Sequence, residues 1–239
     1  MQTACSISLI SLTISLGHAD TFTAPLPTTI DSRIFNADWG WNNNDGNGTD
    51  IGVYQARDRS LIQFDISALP IGATVTGSTL TLTASSNVYG GNPNGETMSV
   101  YRLTQSWTEG GVTWNTFDGS NAWTTAGGDY AGTAYASSTA NPSSGQTISW
   151  DVTTLTNEWF TGAQANNGLI IVNSGNTNGI HFQSSESGNV AARPILATTF
   201  STPTAAPSGA FVWNGGNGGS GAIDGGGTWS ASSDFWNGS

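Results

Sequence analysis

Hydrophobic and polar residues alternate with a period of two in several short runs, the pattern of strands with one face buried. In Leu61–Ile66 (LIQFDI) the side chains of Ile62, Phe64 and Ile66 share a face. In Thr79–Ala84 (TLTLTA) Leu80 and Leu82 point away from three threonines, and Ile148, Trp150 and Val152 alternate with Thr147, Ser149 and Asp151. Gly168–Val172 (GLIIV) is a continuous apolar run, as expected of a central strand. Ile180–Phe182 and Ile195–Phe200 follow, with weaker runs at 29–35, 51–55 and 98–104. About nine strands joined by turn-rich links predict an all-β sandwich. One short helix is expected within Asp151–Phe160, where Leu155 and Trp159 fall at i and i+4 behind a Thr cap and ahead of Gly162; it would plug an end of the sandwich.

The pattern changes at both ends. Residues 1–19 read as an export signal: an apolar run from Ile7 to Leu16 precedes Gly17 and Ala19, at the −3 and −1 positions of a cut before Asp20. The positively charged start of such signals is missing, so the beginning is expected to be truncated or misassigned. The single cysteine, Cys5, lies in this segment, which leaves a mature chain without disulfides. After Phe200 a Pro- and Ala-containing linker (201–209) leads into a Gly- and Trp-rich tail (210–239) that repeats Trp-Asn-Gly and breaks off in mid-pattern. The sandwich itself therefore spans 20–200, in a secreted or surface-exposed chain that is expected to continue beyond its last residue.

Composition narrows the partners. Only 9% of residues are charged and there is no Lys, while Thr, Val, Ile and ten Trp supply what a pleated core needs. The formal charge of −11, with five Arg, excludes a phosphate-tracking surface and with it nucleic acid. No run is long and apolar enough for a membrane span. Neutral sugars and cations suit such a chain better.

One string combines these features. Ser106–Asn115 (SWTEGGVTWN) holds two indoles, a carboxylate and two glycines. We expect Trp107 and Trp114 to be buried and to lock a loop turned by Gly110 and Gly111, with Thr108, Glu109 and Thr113 satisfying its backbone donors. RSLIQFDIS (59–67), LPIGATVTGSTLTL (69–82), VYRLTQSWTEGGVTWN (100–115), GGDY (127–130), WDVTTLTNEWFTG (150–162), GLIIV (168–172) and FQSSESG…RPIL (182–196) follow in the order seen in the DNRLRE domain family. Over residues 20–200 the chain resembles that family, which overlaps carbohydrate-binding module family 96 and the disaggregatase-related repeats; the literal hexapeptide of the name is absent. The resemblance implies a non-catalytic jelly-roll sandwich of secreted bacterial proteins, some members of which bind polysaccharide, and in such sandwiches a structural calcium is common. The tail resembles the Trp-Asn-Gly strand repeats of autotransporter-like surface proteins.

Several residues are candidates for chemistry. The Asn/Asp/Gly-rich stretch 36–50 offers oxygen donors of the kind Ca²⁺ takes, with Asp45 and Asp50 as candidate ligands and Asp129 of GGDY as a third. The same residues also simply make turns. Trp39, Trp41, Trp123 and Tyr130 stand in Gly/Asn-rich loops and are the candidate flat faces for a polysaccharide or surface glycan. Arg59 and Arg193 are expected to pair with Asp58, Asp65 or Glu186, which speaks against a groove for acidic glycans. A glycosidase would need a tuned carboxylate pair, and Glu109, Asp129, Glu158 and Glu186 carry no signature linking any two. His181, inside the strand pattern IHF, reads as a strand-face residue. We therefore expect a secreted carbohydrate-binding or adhesive module that is not an enzyme. The rival readings are a filament or stalk subunit joined by strand addition through residues 20–35 and, third, a polysaccharide-degrading enzyme.

Overall fold

The computed structural model describes residues 21–36, 42–55, 57–85, 97–139, 141–175 and 179–202, with side chains from residue 25 onward. Trp39, Trp41, the export segment, and all but the first two residues of the expected linker and tail lie outside the described residues.

The strands are β1 (Thr21–Leu26), β2 (Thr28–Phe35), β3 (Asp50–Tyr54), β4 (Asp58–Phe64), β5 (Thr74–Thr83), β6 (Met98–Arg102), β7 (Ala136–Ser138), β8 (Thr147–Asp151), β9 (Leu169–Asn173), β10 (Gly179–Gln183) and β11 (Ile195–Ser201), with one helix, α1 (Thr153–Phe160), between β8 and β9. They form two antiparallel sheets. The first runs β1-β11-β5-β8; the second runs β10-β3-β4-β9-β6-β7, with β2 also paired along β4. The alternation sets the facing. Leu80, Leu82, Ile148, Trp150 and Leu196 from the first sheet meet Ile51, Val53, Ile62, Phe64, Val100 and Ile171 from the second in one buried core. Thr79, Thr81 and Thr83 stand on the other face of β5, opposite Asp151, Ser149 and Thr147 of β8.

Two strands are additional to the expected nine. β1 contains Pro25, which breaks a strand pattern but is tolerated on an edge strand, and among the described residues β1 pairs only with β11. β7 is three small residues paired with β6. The helix also departs in detail from expectation. Its N-cap is Val152, without a side-chain cap bond, because Thr153 Oγ1 is committed to the backbone N–H of Ser78 at 2.8 Å. Asp151 Oδ1 accepts the N–H and hydroxyl of Thr153 instead. Leu155, Thr156 and Trp159 are buried, and the Thr156 hydroxyl donates to Ser78 Oγ, which fastens α1 along β5.

A second core lies on the outer face of the larger sheet. Ile34 of β2, Leu61 of β4 and Ile170 of β9 point away from the main core and are covered by Leu103, Trp107, Val112, Trp114 and Trp123. Residues 103–135 thus form a third layer, held by isolated bridges such as Leu103 to Tyr130. This layer accounts for GLIIV: Leu169 and Ile171 face the main core and Ile170 the second, so both faces of this run are apolar.

Candidate ligand-binding site

The layer over the larger sheet is pinned from inside by its indoles. Trp107 is buried and its Nε1–H donates to the Asn167 carbonyl at 3.0 Å. Trp114 is buried beneath the Arg59 guanidinium, 4.6 Å from its ring. Thr113 Oγ1 accepts the backbone N–H groups of Asn115 and Thr116, as the loop-locking reading of SWTEGGVTWN expects, whereas Glu109 reaches out of the loop and accepts the N–H of Asp31 in β2. The Asn44 side-chain amide donates to the carbonyls of Glu109 and Val112, tying the 42–48 segment to the same loop. At Gly127 φ is +93°, and a Cβ there would stand 2.6 Å from Arg59 and 2.7 Å from Trp114. Only glycine lets the chain pass this close.

Trp123 lies under this surface and not on it. It is 5% exposed, its Nε1–H donates to the Thr113 carbonyl at 2.9 Å, and its ring meets Phe117 edge-on at 5.7 Å. The expectation of an exposed platform at Trp123 is corrected: a Gly/Asn-rich neighbourhood here forms a packed layer with its own core. Tyr130 is half-buried and lines an open hollow of about 440 Å³ together with Arg59, Thr104, Gln105, Thr124, Thr125 and Asp129. Its ring lies 5.0 Å from that of Tyr101 and 5.4 Å from the Arg59 guanidinium. Among the described residues no carboxylate forms an ion pair with Arg59; it donates to the Gly127 carbonyl and its buried Nε has no partner. Burial lowers its pKa from the usual arginine value. The expected pairing of Arg59 with Asp58 or Asp65 is not found among the described residues; its guanidinium lies against the rings of Trp114 and Tyr130 instead. Arg193 likewise donates its Nε–H to the Ser187 carbonyl.

A family model described as the disaggregatase-related repeat domain matches residues 41–198, which take in the layer, the hollow and both sheets from β3 onward. The chain belongs to the disaggregatase-related repeat domain family. No curated protein matches it. The Trp-Asn-Gly tail lies beyond the part of the chain that this family covers.

In this disaggregatase-related domain the three acidic residues expected to bind metal sit in two places. Asp129, in the hollow, accepts the backbone N–H groups of Thr124 and Thr125 on its two oxygens, both at 2.8 Å. Asp45 receives the Arg33 Nε–H at 3.2 Å; burial raises its pKa, and the Arg33 charge opposes that rise. Asp50 opens β3 close enough for its charge to act on Asp45. Among the described residues no three His, Cys, Asp or Glu side chains converge as a metal cluster. Arg33 also reaches His181, whose Nε2 lies 2.8 Å from its NH1 and therefore accepts from it. His181 is 3% exposed, and burial, helped by the Arg33 charge, lowers its pKa to about 4.

Sequence reasoning takes Arg59 for an ion-pair partner and misses its place in the hollow. Its position before LIQF marks a strand, and nothing local announces that Trp114, 55 positions later, lies beneath it. The polar wall of Thr104, Gln105, Thr124 and Thr125 is equally silent in sequence.

Proposed function

We propose that this domain is a non-catalytic saccharide-binding module of a secreted or cell-surface protein, with the ligand seated in the hollow at Tyr130 and Arg59. The observation that carries the reading is the convergence of a half-exposed phenol with an arginine that has no acidic partner among the described residues, above a layer locked by buried indoles. Sugars present apolar C–H faces and polar rims; an aromatic ring matches the first, and guanidinium, hydroxyl and amide groups match the second. Thr104, Gln105, Thr124 and Thr125 supply those rim partners around one ring. Two of the four carboxylates weighed for hydrolysis are tied to neighbouring groups. Both Asp129 oxygens accept backbone N–H groups, and Glu158 accepts the Tyr135 hydroxyl on α1. Among the described residues no helix is long and apolar enough to cross a membrane.

The test is affinity gel electrophoresis of the purified chain in gels containing neutral or uronic-acid polysaccharides. One polysaccharide is expected to retard the wild type, and Tyr130→Ala to cut affinity by tenfold or more. Retardation unchanged by Tyr130→Ala would remove the hollow as the site.

A structural subunit joined by strand addition is the second reading, favoured by β1. Among the described residues this edge strand is held by β11 alone, and Pro27 separates it from β2 in the other sheet. Concentration-dependent assembly that disappears on deleting residues 21–26 would support it.

A further inference from the structure

β1 is attached to the rest of the domain at few points. Its residues pair with β11 from Thr21↔Ser201 to Leu26↔Leu196, and among the described residues no other strand pairs with it. Leu26, 2% exposed, is set in the main core. One residue later the chain has left this sheet: Thr28 already pairs with Phe64 of β4 in the larger sheet, so Pro27 alone spans the crossing. Proline fixes its own φ and holds the residue before it extended, so Pro25 and Pro27 favour an extended run over a tight bend. Beside the crossing lies an open hollow of about 310 Å³, lined by Pro25, Pro27, Val190, Pro194 and Ile195 among others. Val190 and Ile195 are two of the three large apolar side chains left exposed among the described residues, the third being Ile71.

We infer that β1 is exchanged between two copies of this chain: β1 of each copy pairs with β11 of the other, in a closed two-fold dimer hinged at Pro27. The inference rests on the strand-addition reading of β1 and not on the saccharide one; it names the acceptor, which is the β11 edge vacated in the second copy. Every contact that β1 makes at home is offered there unchanged, the ladder on β11 and the core seat of Leu26 included, so exchange gives up no native pairing. What differs is the hinge. A short link between two elements invites exchange, because opening it replaces a one-residue crossing by the extended segment that its prolines already prefer. The two-fold axis sets the two hinges side by side, and with them the two hollows, so that Val190 and Ile195 of one copy are covered by those of the other. Among the described residues no carboxylate lines this hollow, so the acidic surface of a chain with a formal charge of −11 does not oppose the contact there.

The experiment has two arms, both on the full chain. Light scattering after size-exclusion chromatography should give twice the 24.6 kDa of the chain. The mass should fall to that of one chain when Gly-Ser-Gly-Ser is inserted between Pro27 and Thr28, since a longer link lets β1 fold back at home. The second arm uses Pro25 and Ala197, which are register partners on β1 and β11. In a Cys5→Ser background, Pro25→Cys and Ala197→Cys chains refolded together and oxidised should form a disulfide-linked pair, while neither forms one alone. A dimer without that cross-link, or one in which Pro25→Cys links to itself, overturns exchange and leaves addition of one β1 edge to another standing. The mass of one chain at every concentration overturns both. Should a cysteine variant fail to fold, the insertion decides alone: a doubled mass that survives it overturns the inference.

Discussion

Trp123→Ala separates a structural indole from a ligand-binding one. The side chain is 5% exposed within the second core, so its removal takes away a large buried apolar surface, the Nε1–H bond to Thr113 and the edge-on contact with Phe117. Truncating a buried Trp to Ala costs about 3–5 kcal/mol, of which the aromatic pair contributes ~1 kcal/mol. For a domain of this size each kcal/mol moves the melting midpoint by about 2–4 °C, so a fall on the order of 10 °C is expected. Guanidinium denaturation followed by circular dichroism measures it, with an unchanged slope confirming that stability and not compactness has altered. Tyr130→Ala, half-exposed at the hollow, should lose no more than ~1 kcal/mol in the same assay. If Trp123→Ala loses less than ~1 kcal/mol and saccharide binding disappears instead, the indole is a ligand face and the layered account of residues 103–135 is wrong.

Further outcomes follow from particular contacts. Gly127→Ala places a Cβ against Arg59 and Trp114 at positive φ and should destabilise by about 2–4 kcal/mol in chemical denaturation, since both strain and displaced packing act. An effect under ~0.5 kcal/mol would mean that Arg59 and Trp114 are not locked together. Asp151→Ala removes the acceptor for the Thr153 N–H at the start of α1 and should cost about 1 kcal/mol by the same assay. His181 has its folded pKa depressed from 6.5 to about 4, so its contribution is complete above pH 6.5 and lost as pH falls towards 4. The stability difference between wild type and His181→Gln should therefore change by about 3 kcal/mol between pH 7 and pH 4. Asp58, raised to about 6 mainly by burial, works in the opposite sense, losing its contribution as pH rises through 6, so only the comparison isolates His181. A pH-independent difference would show that the imidazole titrates normally.

Much of the sandwich is legible because alternation is a local property. In β8, Ile148 and Trp150 face inward and Thr147, Ser149 and Asp151 outward, as their period-two spacing requires. The indoles of SWTEGGVTWN are buried for a reason the sequence also carries: Gly110, Gly111 and a threonine-rich surround allow a tight turn whose donors are satisfied at home. β1 escapes because Pro25 interrupts its pattern and its partner among the described residues, β11, is about 170 positions away in sequence. Trp123 misleads because Gly, Asn and Thr neighbours look like a solvent loop, and only the outer face of β4 and β9 shows what they cover. The tie between Glu109 and Asp31 is invisible in one dimension. The two are 78 positions apart, and their proximity is a product of β2 lying against the third layer.

The most direct test of the functional account is the dissociation constant of the wild type, Tyr130→Ala and Trp123→Phe for the polysaccharide that retards the chain most in affinity gels. The account predicts that Tyr130→Ala weakens binding tenfold or more while Trp123→Phe, which keeps a buried aromatic ring, binds as the wild type does. Equal affinity for Tyr130→Ala and the wild type would contradict it.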